Sequence, residues 1–197
     1  SDQLNLYTST ETLKPDSQYL FDKLLHNDYV LNPENLSSSG HRILITLRKP
    51  ESSIKSIIHL FRQKQTIHPY ANPIQATEYY IQRLQSLAEF CQQHPRSYCY
   101  FDAELIKNSS PALLNTLTDW CKLTSALSDR YRTFSQTGKA RAGDTSRRIT
   151  TGNIVATNNS YPEIELEHAL LQRAEQAYSD YRGVMINVAL DSLCHVE

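Results

Sequence analysis

Blocks of apolar residues alternate with polar breaks along this chain, and the spacing inside each block changes. Ile43 to Leu47 (ILITL) is a short run of mostly branched apolar residues, which suits a strand buried on both faces. Arg48-Lys49-Pro50 interrupts it, and Pro50 fits the first turn of a helix, where a missing N–H is harmless. Ile54, Ile57, Ile58 and Phe61 then recur at helical spacing and predict a helix with one buried stripe.

The same alternation continues downstream. Asn72 and Pro73 are a cap and a first-turn proline, and Tyr80, Ile81, Leu84, Leu87, Ala88 and Cys91 repeat at three- and four-residue steps. This predicts an amphipathic helix to about Gln93, ended by His94-Pro95-Arg96. Ser97 to Phe101 (SYCYF) reads as a second strand, and Ser110-Pro111 opens a helix with Leu113, Leu114, Leu117 and Trp120 on its apolar side. Residues 124–160 are rich in hydroxyl side chains with little pattern, so they read as a long loop. A closing helix is expected from Glu163 to Tyr181, and the tail to Glu197 is apolar enough to pack as either helix or strand. Upstream, residues 1–12 read as loop, Pro15 to about Leu25 as a short helix, and Asn32 to Gly40 as a turn-rich connection. Strands alternating with helices predict the α/β class with a parallel sheet.

Length and composition narrow the classes. A chain of 197 residues is expected to form a single domain, 1–197, with a real core. A formal net charge of -1 gives no general attraction for nucleic acid or membrane surfaces. No apolar run reaches the roughly 18 residues of a membrane span, and the N-terminus is too polar for a secretory signal. Cys91, Cys99, Cys121 and Cys194 contain no CxxC pair; buried thiols are expected rather than disulfides or metal ligands, and this favours the cytoplasm. His59, His68, His94 and His195 show no metal-ligand spacing, so no metal is expected. The only methionine is Met185, so part of the protein is expected to precede Ser1.

The chemistry concentrates where the first strand meets its helix. Arg48 closes the strand, Ser56 lies on the helix, and the helix N-terminus adds partial positive charge, a combination suited to an anion. The spacing Arg48-x-Pro50-x5-Ser56 resembles that of sulfotransferases using 3'-phosphoadenosine 5'-phosphosulfate (PAPS), in which the Arg and the Ser hold the nucleotide's 3'-phosphate. Residues 99–123 resemble the family's next segment, a strand with an aromatic-acidic stretch followed by a helix. TGKARAGDTSRRITTG, residues 137–152, resembles the late basic loop ending in Gly-Asp that folds over the same phosphate.

The resemblance covers most of residues 41–152. It implies a three-layer α/β, P-loop NTPase-like fold with a central parallel sheet flanked by helices. PAPS would be the co-substrate, and a hydroxyl or amine on a small molecule or glycan the acceptor. By the same resemblance Arg48, Ser56, Lys139 or Arg141, and the Gly143-Asp144 pair would bind the cofactor. Arg147 and Arg148 fit the motif less well and read as surface charges, while Phe101 falls near the family's adenine-contacting ring but equally reads as core. The family's other nucleotide contact, a P-loop-like turn at its first strand, is absent, and no GxxxxGK[ST] occurs. That turn is expected upstream of Ser1. Thr145 replaces the tryptophan common after Gly-Asp in the eukaryotic cytosolic enzymes, which suits a bacterial or divergent member.

Sulfuryl transfer also needs a base for the acceptor's proton. His26, Glu11 and Glu34 lie in the relevant region, but no motif selects one, so the base is unassigned. Two alternatives keep the fold and change the function. A P-loop-type kinase would use ATP, which lacks the 3'-phosphate that the Arg-x-Pro-x5-Ser pattern serves. A non-catalytic member would bind a nucleotide or a protein partner without transfer.

Overall fold

The branched apolar run forms β1 (Ile43–Leu47) in the computed structural model, and it pairs in parallel with β2 (Tyr98–Asp102), Leu47 lying opposite Asp102. β2 in turn pairs in parallel with β3 (Asp191–Leu193), Phe101 opposite Leu193. The chain is therefore α/β, with a small parallel sheet in the order β1-β2-β3 and β2 in the middle. The structure describes residues 19, 21, 23–24, 40–64, 66–108, 110–135, 137–139, 147–155 and 161–194. The chain divides into two compact units, Ser1–Arg42 and Ile43–Glu197. The sheet belongs to the second. In the first, Tyr19 and Phe21 are exposed, and the expected early loop and short helix fall almost wholly outside the described residues.

α1 (Pro50–Arg62) follows β1 after two residues, with proline in its first turn as expected. α2 (Pro73–Gln93) is capped by Asn72, whose Oδ1 accepts the Ile74 and Gln75 N–H groups at 2.9 and 3.3 Å. The predicted stripes face inward: Ile54 and Ile58 of α1 and Leu84, Ala88 and Cys91 of α2 are buried against Ile45, Leu47, Tyr98 and Tyr100. α5 (His168–Val188) completes this layer through Ala174 and Met185. On the other face α3 (Leu105–Asn108) and α4 (Ser110–Trp120) bring Leu105, Leu113 and Leu117 onto Phe101, with Leu44 and Leu193 at the margin. Phe101 is thus a core residue.

Three expectations change and one open alternative is resolved. β1 is buried on one face only: Ile45 and Leu47 are buried while Thr46 is exposed, because the α3–α4 layer centres on β2. All five residues of β2 are buried instead. The closing helix begins at His168, since Ile164 enters the core from a turn before it, its N–H donating to the Tyr161 carbonyl at 3.0 Å. It runs past Tyr181 to Val188, anchored by the fully buried Met185, whose carbonyl accepts the Tyr98 hydroxyl. The tail then becomes a strand, guided by Arg96 N–H donating to the Val188 carbonyl at 2.7 Å and Leu190 N–H to the Tyr98 carbonyl at 3.1 Å.

The expected long loop holds local order where it is described. Arg130 bridges Asn153, and Tyr131 N–H donates to the Gly152 carbonyl at 2.8 Å. A 3-10 turn (Arg147–Thr151) lies against Gly138, whose φ of +81° is the left-handed conformation glycine tolerates. A side chain at Gly138 would come within 3.1 Å of Thr150 Cγ2. Cys91 and Cys99 are buried, and burial pushes both thiols up to about 11, which suppresses nucleophilic character. Cys121 is partly exposed and Cys194 exposed, and no disulfide joins the four. No helix among the described residues is long and apolar enough to cross a membrane.

Candidate anion-binding site at the strand ends

Parallel strands release their chains on one side of a sheet, and ligands of open α/β sheets bind there. β1 and β2 end level, and the segments leaving them are tied together. Ala103 N–H donates to the Leu47 carbonyl at 2.8 Å, and Lys49 N–H donates to Glu104 Oε1 at 3.1 Å. The Arg48 carbonyl accepts the Tyr80 hydroxyl at 2.8 Å and the Ser53 hydroxyl at 3.3 Å. The backbone that carries Arg48 is therefore held from α1, from α2 and, through Lys49, from the β2 exit. Burial, with the nearby charges of Tyr178 and Glu104, pushes the Tyr80 phenol well above its usual range, so it stays a neutral donor.

The charges of two other cations reach Lys107 near this exit. Burial and then the charge of Arg48 hold Lys107 below its ordinary range near 10.5, and Arg148 adds to the effect while Glu104 and Tyr161 oppose it. α1 adds to the field. Lys49 at its N-cap makes no side-chain capping bond, and the N–H groups of Glu51 and Ser52, in the first turn, have no intrahelical acceptor. Glu104 Oε2 is buried without a hydrogen-bond partner among the described residues.

The neighbouring strand end is closed. Asp102 is 2% exposed, and Arg182 of α5 grips it through two bonds, Nε to Oδ1 at 2.8 Å and Nη2 to Oδ2 at 2.6 Å. The Tyr100 hydroxyl donates to the same carboxylate at 2.7 Å, and burial together with that bond raises its phenol far above the usual range. A carboxylate so occupied has little capacity left to act as a base.

The candidates from the sequence are only partly assembled. Arg48 is half-buried at the corner, and Ser56 is half-buried two turns into α1, where its hydroxyl bonds no described residue. The serines that engage the exit are Ser52 and Ser53, through the Lys49 and Arg48 carbonyls. Lys139 is exposed, and no described interaction joins it to Arg48. Arg141, Gly143 and Asp144 lie outside the described residues, as do His26, Glu11 and Glu34.

Comparison of the chain with family models, with curated proteins and with solved structures gave no match.

Lys107 and Arg148 are the members that sequence reasoning missed. Arg148 read as a surface charge and is exposed, yet the 3-10 turn returns it to the field of Lys107. Lys107 carried a usable signal: it follows the exit of β2 as Arg48 follows β1, one helical step from Glu104.

Proposed function

We propose that the chain binds the 3'-phosphate of a nucleotide at the Arg48 corner and acts as a PAPS-dependent sulfotransferase of P-loop NTPase-like fold. The observation that carries this reading is Arg48, held at the exit of β1 by its carbonyl's bonds from Tyr80 and Ser53, beside the start of α1 and within the field of Lys107. The Arg48-x-Pro50-x5-Ser56 spacing and the basic 137–152 segment support the same assignment from the sequence. In this reading Arg48 grips the phosphate with its fork, Lys107 and Arg148 balance its charge, and Ser56, with Lys139 or Arg141 and Gly143, completes the contacts. The sulfuryl group passes from the donor's phosphosulfate to a hydroxyl or amine of a small molecule or glycan. A new S–O or S–N bond forms, the bridging oxygen leaves on the phosphate, and the acceptor's proton goes to a base. Holding the donor by its 3'-phosphate fixes the geometry of that displacement.

Non-catalytic nucleotide binding is the second reading, because the sequence holds no GxxxxGK[ST] turn to cradle the 5'-phosphosulfate. Thermal melting with 3'-phosphoadenosine 5'-phosphate beside ADP tests the shared element of both. Stabilisation by the first and not by the second is expected, since binding to the folded state raises the midpoint. Equal or absent shifts would remove the 3'-phosphate assignment.

A further inference from the structure

The two outer strands finish the sheet differently. β3 is three residues long and carries Asp191, and both a short length and a charge discourage a further strand. β1 is five residues long (ILITL), with no charge, proline or glycine among them. In a parallel ladder each residue turns its N–H and C=O to the same side, and successive residues alternate. The Leu47 carbonyl accepts the Ala103 N–H from the β2 side, so Ile43, Ile45 and Leu47 bond towards β2 while Leu44 and Thr46 turn their groups outward. No described residue pairs with that outer side, and the Thr46 side chain is exposed.

We infer that the outer edge of β1 takes up an extended segment of a partner protein as a further strand, apolar at alternate residues and acidic at the end that meets Arg48 and Lys49. The outward N–H and C=O groups of Leu44 and Thr46 supply the ladder, which gives such a contact its affinity. The pleat sets the side-chain pattern. Ile45 and Leu47 belong to the core packed with α1 and α2, whereas Thr46 faces out, so every second residue of an added strand lies beside the core and the others stay in water. Charge sets the end. Arg48 and Lys49 follow the strand directly, and the first turn of α1 adds partial positive charge there. A second copy of this chain fits the edge less well: antiparallel self-pairing centred on Ile45 sets Arg42 of each copy opposite Arg48 of the other, and like charges directly opposite destabilise a pair. The inference is independent of the 3'-phosphate reading.

Calorimetric titration of the full chain with synthetic peptides of alternating valine and threonine tests this. One peptide begins with aspartates and another ends with them, which covers both strand directions. One of the pair is expected to bind, and replacing its aspartates by lysines should weaken it about tenfold or more. N-methylation of one alternate set of its residues, and not of the other, should cause a loss of similar size, because only one set turns its N–H groups to β1. Thr46→Pro removes an outward N–H and leaves the bonds to β2 in place, so it should also weaken the peptide about tenfold or more. Binding by neither peptide, or binding indifferent to N-methylation or to the sign of the end charge, would overturn the inference. A dimer of the full chain that Thr46→Pro dissociates would give the edge to a second copy and overturn it as well. The peptide comparisons on the unaltered chain decide the matter even if the variant does not fold.

Discussion

Two neighbouring strand ends in this protein treat charge in opposite ways. At the end of β2, Asp102 is buried and matched by the Arg182 fork and the Tyr100 hydroxyl. At the end of β1, level with it, the charges of Arg48 and Arg148 weigh on Lys107 while Glu104 and Tyr161 oppose them, and one Glu104 oxygen is buried without a donor among the described residues. The first arrangement is satisfied within the chain and fixes α5 against the sheet. The second sets like charges against one another. Strain against local satisfaction is what separates a site from scaffold here, because both ends hold charged residues of the same kinds.

The largest effect is expected at the closed end. Arg182→Met strips the buried Asp102 of its guanidinium and is expected to lower unfolding stability by about 3–5 kcal/mol. Adding Asp102→Leu to it should recover much of that loss, because the burial of an uncompensated charge disappears. Urea denaturation of the single and double variants measures both. A single-variant loss near zero would break the contrast between the two ends.

Arg48→Ala is expected to do the reverse. Affinity for 3'-phosphoadenosine 5'-phosphate should fall by about 2–4 kcal/mol, as for a buried charge pair losing one partner. Stability in the absence of ligand should move by no more than about 0.5 kcal/mol, since the substitution removes a repulsive neighbour of Lys107. Calorimetry and denaturation on one preparation read the two effects, and unchanged affinity would end the assignment of this residue.

The smallest effect sharpens the comparison through pH. Lys107 has its folded-state pKa lowered from about 10.5, so between that lowered value and 10.5 the unfolded chain binds more protons. Its unfavourable contribution is fully present below this window and is relieved as pH rises through it. Lys107→Met should abolish the rise, and a bound phosphate should flatten it in the wild type by restoring the ammonium. Denaturation midpoints across the alkaline range, with and without nucleotide, test the sign. A wild-type profile indistinguishable from that of Lys107→Met would count against the cationic corner.

Local patterns carried the elements that local rules govern. The β1–α1 unit, the Asn72-Pro73 cap and the Tyr80–Cys91 stripe were legible because proline, capping amides and helical spacing act over a few residues. α3 was missed, being too short to show a period. The closing helix was displaced at both ends, because Ile164 and Met185 are placed by the core and not by their sequence neighbours. The position of Arg48 was legible from its place after β1. Lys107 offered only its place after the exit of β2 and Arg148 offered nothing, since a cation's meaning depends on which other charges the fold sets beside it.

The sequence by itself determined an α/β alternation, the exits of its strands and a basic residue at the first of them. Those features follow from period, turn chemistry and the steric demands of proline, all of which act locally. Tertiary structure decided that the tail becomes β3, that Asp102 belongs to Arg182, and that the charges of Arg48 and Arg148 reach Lys107. These are contacts between residues far apart in the chain, and what selects them is burial and electrostatics in the assembled sheet.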